Sequence, residues 1–401
     1  MRRELTFLHT ADWHADSDPV KQEKLIKSLE FITGYVAKND VTAIVHAGDI
    51  WERKQSYTDN SGVPIVIEYL RKMSKYVEHI FITKGNNHHD EPGSVALLHQ
   101  IEPNIHAYER PAVLAVGRDQ VTMLNGELDP YFQHPEYLIS LVPYPTKAAL
   151  VGDQSIDNNN TQFLEEFENI FEAIGMYRDS FPTLPHLLAF HGNVMGSRLS
   201  SGQALLGQDI IVSPTTLRKA KADYYALGHI HLAQNIADDI RYSGSIYNKS
   251  WGETEQKIFN TISFSEFDSD RNKRIEAVRI ENARPMITVE GHYDFKASMW
   301  VYNCEFEKPD DAEYRFRFKI GEEELKALTV DKVAELKRIF NEDVRIEREI
   351  IPMERESRSE KIMSCKSLYD EVVEYAEVVD VKLGAGIKPK VAEVEALSTG
   401  R

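Results

Sequence analysis

Short apolar runs alternate with longer amphipathic stretches through the first half of the chain. Leu5 to Ala11 reads as a strand. Lys21 to Lys38 reads as a helix, with Leu25, Ile26, Leu29, Ile32 and Val36 on one face, and Ala43 to Ala47 as a second strand. A polar stretch leads to a helix from about Gly62 to Lys75, and His79 to Thr83 is a third strand. The order is βαβαβ, for which right-handed crossovers are expected. Tyr137 to Val142 is a further buried strand, followed by a polar loop from Gly152 to Thr161 that is expected to be mobile. A helix at Phe163 to Ile174 precedes the strands Leu187 to Phe190 and Tyr224 to Leu227. Asp238 to Phe267 reads as a meander whose antiparallel strands would close a sandwich.

After Arg284-Pro285 the pattern becomes more charged. A strand at Tyr314 to Ile320, a helix near Asp331 to Phe340 and a strand at Val344 to Ile350 predict a small separate α+β unit. Ser359 to Val379 predicts an amphipathic helix with Ile362, Cys365, Leu368, Val372, Tyr375 and Val379 near one face. Gly384 to Pro389 breaks the pattern, and the final residues read as a tail. No internal repeat is visible.

Polar clusters of metal-binding type sit at the ends of these apolar runs, where an α/β sheet delivers functional side chains. In chain order they are Asp12-Trp13-His14, Gly48-Asp49, Gly85-Asn86-Asn87-His88-His89-Asp90, His191-Gly192 and Gly228-His229-Ile230-His231. Residues two apart in an extended segment share a face, so Asp12 and His14 can ligate one ion, and His229 and His231 can serve neighbouring ions. Gly48 allows a sharp turn, and the two oxygens of Asp49 can bridge two ions. A second ion would then suit neutral ligands, an Asn carbonyl and imidazole nitrogens. Each cluster alone is a weak signal, since a turn or a core histidine explains it, but the ordered set points to a dinuclear site. A carboxylate, amide and imidazole set without thiolate suits manganese or iron before zinc. Two such ions can bind a phosphate oxygen, activate a water and align attacking and leaving oxygens.

Composition narrows the class. With 401 residues, 42% hydrophobic and 28% charged, the chain can build two or three ordinary domains. Cys304 and Cys365 are too few for a disulfide framework, lack a CxxC partner and read as idle thiols. No signal core or long apolar span is visible, so no membrane role and a cytoplasmic location are expected, in a bacterium or an infected host. The net charge of −17 argues against gripping a phosphate backbone unaided, although it says nothing of local patches.

The clusters resemble the ordered D-x-H, G-D, G-N-H-D/E, H and G-H-x-H motifs of the calcineurin-like metallophosphoesterases. More narrowly, His9-Thr10-Ala11-Asp12-Trp13-His14, Ala47-Gly48-Asp49-Ile50, Leu141-Val142-Pro143-Tyr144, His191-Gly192, Leu227-Gly228-His229-Ile230-His231 and Tyr242-Ser243-Gly244-Ser245 are similar to SbcD-type nuclease subunits, phage versions included. The likeness covers about residues 5 to 265 and is weaker to about 380. It implies an α/β four-layer sandwich, two mixed β-sheets flanked by helices, as a nuclease domain over 1–285. A small α+β capping domain at 286–352 would orient DNA, and a C-terminal segment at 353–401 would dock on an SbcC-like SMC-type ATPase. It also implies a homodimer and metal-dependent exonuclease activity, with endonuclease activity beside it, in DNA end processing. Asp12, His14, Asp49 and His231 would hold the first ion; Asp49, Asn86 or Asn87, His191 and His229 would hold the second. Mn2+ is expected, with Mg2+ or Fe2+ as substitutes.

The third cluster departs from the family pattern by two extra residues. Asn86 keeps the Gly-Asn step and Asn87 the Asn-His step, and His88 is favoured as the catalytic histidine. Glu52 stands where relatives often carry His; a solvent-facing position is expected for it, with a substrate-stabilising role as the alternative. Two other functions stay open: a stand-alone phosphodiesterase or phosphatase for nucleotides or small phosphate esters, which the acidic balance favours, and a scaffold whose altered third cluster has lost catalysis.

Overall fold

The computed structural model describes residues 3–54, 61–124, 134–144, 160–200, 210–265, 273–281, 283, 285–302, 312–352, 362 and 364–398. The loop expected at Gly152 to Thr161 lies outside them up to residue 159. By contacts the chain forms two compact units. The first comprises Met1–Val289, Cys304–Arg315 and Phe340–Arg345; the second comprises Glu290–Asn303, Phe316–Ile339 and Ile346–Arg401.

Two sheets build the first unit. Strands β1 (Leu5–Thr10), β2 (Ala43–His46), β3 (His79–Thr83) and β4 (Ile105–Tyr108) run parallel in that order. Pro19–Lys38 (α1) and Val63–Met73 (α2) form the first two crossovers. Asp18 caps α1 by accepting the Val20 and Lys21 N–H groups, and Pro19 fits its first turn because that position has no intrahelical N–H bond to lose. The second sheet is centred on β5 (Ala112–Val116), β6 (Tyr137–Val142), β7 (His186–His191) and β8 (Tyr224–Gly228), the last three mutually parallel.

Nearly every residue of these central strands is buried, because each sheet is covered on both faces. Alternate side chains divide between layers, as the two-residue period of a strand requires. Phe7, Val45 and Phe81 of the first sheet meet Leu114, Ile139, Ala189 and Ala226 of the second in one core. Leu8, Ile44, Ile80 and Ile82 face Leu25, Leu29, Val66 and Leu70 of the helices. On the far side Leu138, Leu188, Phe190 and Leu227 face Phe167, Phe171 and Ile174 of the helix Asn160–Ser180. Three cores thus separate four layers, helix, sheet, sheet and helix, the mixed α/β four-layer sandwich that was expected.

The meander expected at Asp238 to Phe267 is split between the sheets. Ile240–Tyr242 pairs with β8 in the second sheet, whereas Ile258–Phe264 returns to pair antiparallel with β1 in the first and carries Lys273–Arg279 at its edge. Strands at Ala112–Val116 and Met286–Asp294 were not legible as such.

The chain's second half adds a four-stranded sheet in the order Met299–Tyr302, Met286–Asp294, Glu313–Gly321, Arg345–Ile351. Trp300 anchors its apolar face, with ring centroids 5.2 Å from Tyr293 and Phe316 and 5.0 Å from Phe318. The amphipathic helix expected at Ser359 to Val379 is shorter: it spans Leu368–Val378, capped by Ser367, and residues 364–367 before it, Cys365 included, are not helical, while 359–361 and 363 lie outside the described residues. The final segment is not a tail: Ile387–Ser398 is a helix that packs on Leu368–Val378, with Glu395 accepting the Leu368 N–H. Pro389 falls in its first turn, where proline forfeits no intrahelical hydrogen bond, so a break signal sits inside a helix start.

Phe7 lies between the sheets, fully buried and edge-on to Tyr137 at 4.9 Å. Phe7→Ala is expected to destabilise the first unit by about 3–5 kcal/mol, read from urea unfolding with metal chelated.

Candidate metal centre

All five clusters come together at the C-terminal ends of the parallel strands. Asp12 and His14 follow β1, Asp49 follows β2 and Asn86 follows β3, while His191 ends β7 and His229 and His231 follow β8. The two sheets therefore each contribute part of one site.

The local backbone is strained in a consistent way. Asp12 (φ 52°), His14 (φ 47°), Asp49 (φ 56°) and His229 (φ 100°) all adopt positive φ, which side-chain-bearing residues rarely do and which persists only where surroundings enforce it. Here the enforcement is a backbone lattice between two loops. Asp12, His14 and Ala15 donate their N–H groups to the carbonyls of Gly48, Asp49 and Ile50. Asp12 and His14 thus reach the same site through successive left-handed kinks rather than by strand alternation, and Trp13 between them is buried with its Nε1 donating to Thr10 Oγ1. Gly48 (φ 92°) and Gly85 are required by crowding: a Cβ would lie 2.3 Å from His191 Nδ1 at the first and 2.0 Å from Asp49 Oδ1 at the second.

Asp49 is the hub. Its Oδ1 accepts the Asn86 N–H at 2.9 Å, and its own N–H donates to Asp90 Oδ2 at 3.0 Å. Its Oδ2 lies 3.3 Å from His191 Nε2 and 3.9 Å from both His14 Nε2 and His89 Nε2. His14, Asp49 and His89 form one group of potential ligand atoms, and Asp49, His191 and His229 form another. His231 Nε2 sits 3.0 Å from His14 Nε2, whereas the His229 ring lies beside His191 at 5.3 Å. Asp12 receives the His229 N–H on both oxygens, at 2.9 and 3.2 Å.

The residues present fit divalent ions, on three observations. His191 donates Nδ1–H to Ala47 O at 2.6 Å, so a lone pair on its buried Nε2, which makes no hydrogen bond, faces the Asp49 carboxylate. That contact is repulsive unless a cation lies between. Burial lowers the pKa of His191, His14 and His231, keeping these imidazoles neutral as ligation requires. Burial first, and then the charge of Asp49, raise Asp12 well above an ordinary carboxyl, and the same causes in the same order push Asp90 up to about 7. Buried carboxylates this close call for positive charge. The 3.0 Å between the His14 and His231 nitrogens also suits two ligands sharing one ion at about 2.1 Å each.

In the third cluster, Asn86 is buried against Asp49, with Nδ2 3.1 Å from Asp49 Oδ2. Asn87 is exposed and accepts from Lys84 Nζ, away from the hub. The His89 and Asp90 N–H groups both donate to Asn86 O, a single tight turn that carries residues 87 and 88 outward and 89 and 90 inward. His88 is accordingly exposed, and the residue the structure places beside Asp49 and His14 is His89, its ring 4.5 Å from that of His14. Counting back from Asp90 instead of forward from Gly85 would have singled it out. The Asn86 Oδ1 accepts the His88 and His89 N–H groups; turning the amide over would present oxygen to Asp49's side, the end a cation favours.

Two further residues, Glu253 and Lys249, were not singled out in the sequence. Glu253, in a turn far along the chain, accepts His231 Nδ1–H at 3.0 Å and Lys257 Nζ at 2.7 Å. Lys249 reaches Glu52 at 2.7 Å. Glu52 does not face solvent: its Oε2 lies 3.1 Å from His14 Nδ1. The Tyr144 ring lies 5.5 Å from that of His229.

A family model for calcineurin-like phosphoesterases matches residues 5–233. The chain belongs to that family. This phosphoesterase is 24% identical to SbcD of the SbcCD nuclease from Escherichia coli strain K12 over 307 residues, which are 72% of this chain and 71% of that one. The O157:H7 protein gives the same figures. A solved dimetal phosphatase from Danio rerio aligns at a TM-score of 0.42 and 13% identity over 69% of this chain and 96% of its own. The GAP50 anchor of the inner membrane complex of Plasmodium aligns at 0.40 and 10% over 71% and 88%. Membership makes the chain a metal-dependent hydrolase. Among the described residues no helix is long and apolar enough to cross a membrane.

Asn86→Ala is expected to weaken manganese binding by about tenfold or more, and Asn87→Ala to leave it within about twofold, read by equilibrium dialysis with metal analysis.

Proposed function

We propose that this phosphoesterase is a DNA nuclease that hydrolyses phosphodiester bonds at a dinuclear site, most naturally with Mn2+, as the nuclease component of an SbcC–SbcD-like end-processing complex. The observation that carries the reading is the convergence of His14, His89, His191 and Asn86 on the buried Asp49, in a chain whose likeness to a named nuclease component spans 72% of its length. Asp12, His14, Asp49 and His231 would hold one ion, and Asp49, Asn86, His191 and His229 the other. When bound, the ions supply a polarised phosphate and an activated water.

The chain's own groups do the rest. His89 takes the role that the sequence alone gave to His88. Its Nδ1–H is engaged by the Glu52 carbonyl, so the proton it exchanges sits on Nε2, on the Asp49 side. From there it can protonate the leaving oxygen. The half-exposed position of His89 allows substrate contact that a buried histidine could not make. Asp90 fixes the hub loop by accepting N–H groups from Asp49, Trp51 and Gly85. The unit at Glu290–Asn303 and Phe316–Ile339 would orient DNA, and the helix Leu368–Val378, which exposes Tyr375 and Val378, would dock on the ATPase. A homodimer fits the same reading.

The net charge of −17 favours a second reading, a phosphodiesterase for small esters with no need of a polyanion. Manganese-dependent cleavage of end-labelled linear duplex DNA separates the two. Cleavage is expected, lost in Asp49→Ala, reduced about 10²–10⁴-fold in His89→Ala, and changed much less in His88→Ala. Hydrolysis of a chromogenic diester with no cleavage of DNA, even with an SbcC-like ATPase present, would overturn the nuclease.

A further inference from the structure

We infer that Glu52 and Glu253 are positioning residues that hold the two histidines of the first-ion group by their Nδ1 atoms, and that the first ion is in consequence held more tightly than the second. The inference rests on the metal-binding part of the proposed function and concerns residues that the metal-ligand motifs do not include.

Two carboxylates stand behind imidazole Nδ1 atoms at this point, one through a hydrogen bond and one through a close ion-pair approach. In one, His231 donates Nδ1–H to Glu253 Oε1 at 3.0 Å, and Glu253 Oε2 accepts from Lys257 Nζ at 2.7 Å. In the other, His14 Nδ1 faces Glu52 Oε2 at 3.1 Å, and that same oxygen lies 2.7 Å from Lys249 Nζ, with Lys21 3.3 Å from the other. Both imidazoles therefore turn Nε2 inward, and those two atoms stand 3.0 Å apart. Lys249 links the braces, because its backbone N–H donates to Glu253 Oε2 at 3.2 Å while its side chain holds Glu52.

Stability alone gives a poor account of this arrangement. Glu253 and Lys257 are 1% and 3% exposed, and burying such a pair carries a desolvation cost that apolar residues of similar volume avoid. A carboxylate behind a ligating histidine does something an apolar pair cannot: it fixes the tautomer and ring orientation and raises the basicity of the ligand nitrogen. Ser245 Oγ, at 2.9 Å from Lys257 Nζ, completes the buried shell.

Two residues of the second-ion group are backed differently. His191 is tied through Nδ1 to a neutral backbone carbonyl, that of Ala47, and Asn86 brings no charge. The first group has the charge of Asp12 in addition to the shared Asp49, while the bracing carboxylates, answered by Lys21, Lys249 and Lys257, act through the basicity of the ligand nitrogens. Charge and ligand basicity both favour the first ion, so the two should load in order.

The test is calorimetric titration of the metal-free full chain with Mn2+, with metal-free melting curves alongside. Two steps are expected for the wild type. Glu253→Gln and Glu52→Gln, which keep shape and remove charge, should each weaken the tighter step about 10–100-fold and leave the weaker step unmoved, while the melting curves read separately the stability lost when Glu253→Gln deprives the buried Lys257 of the Glu253 carboxylate. Because each glutamate acts through one histidine, Glu253→Gln should have no further effect in a His231→Ala background, nor Glu52→Gln in His14→Ala. Equal sites in the wild type, an unchanged tighter step, or an effect that persists in the histidine-free background would each overturn the inference. A chain that binds two unequal ions as described yet cuts no DNA would refute the nuclease and leave this inference standing.

Discussion

The structure depends on one buried carboxylate. Asp49 sits 1% exposed where the two sheets meet, and its neighbours are organised by what that charge requires. One oxygen takes a backbone N–H, its backbone is held by Asp90, and the other oxygen faces imidazole nitrogens from both sheets. An unpaired carboxylate in such a place is strongly unfavourable, and the neutral His14 and His191 offer lone pairs that do not neutralise it. Only cations resolve both problems at once. The charged hub and the neutral donors are therefore one design, stable as a unit when divalent ions are bound.

This requirement reaches into the backbone. Four of the residues around the hub hold positive φ, a conformation costing about 1–3 kcal/mol each, and the rigid sandwich supplies what keeps them there. Parallel strands deliver the loops side by side, the loops bond to one another through the N–H groups of Asp12, His14 and Ala15, and two glycines remove the Cβ atoms that would push Asp49 and His191 away. The doubly covered sheets matter to function for this reason. A sheet open to solvent on one side could not hold two sets of strained loops in register at their shared edge.

Much of this was legible in the sequence, and the rest was hidden for identifiable reasons. The strands that carry the ligands are continuous apolar runs between turns, so their positions and the five clusters stood out directly. What failed were inferences that depend on where a chain goes after a turn. The strand after Gly228-His229-Ile230-His231 stays in one sheet and the next crosses to the other, which no local pattern records. The choice between His88 and His89 turns on a tight loop closed by Asn86, and the inserted residues look alike until that loop is seen to expel the first two. The bracing positions of Glu253 and Glu52 were hidden because such a residue is defined only by its partner, and His231 and His14 lie 22 and 38 positions away.

The acidic balance of the chain takes on a specific meaning once these residues are in place. Asp12, Asp49, Glu52, Asp90 and Glu253 all gather around one point, and their charge would repel a phosphodiester from an empty site. Lys249, Lys257 and Lys21 answer Glu52 and Glu253, leaving the inner carboxylates to be answered by the ions. The chain's acidity at this point is thus the condition for holding two divalent ions rather than an obstacle to an anionic substrate. Attraction for a phosphate then arises only after the ions are bound, so metal occupancy and substrate affinity are tied together by the same few carboxylates.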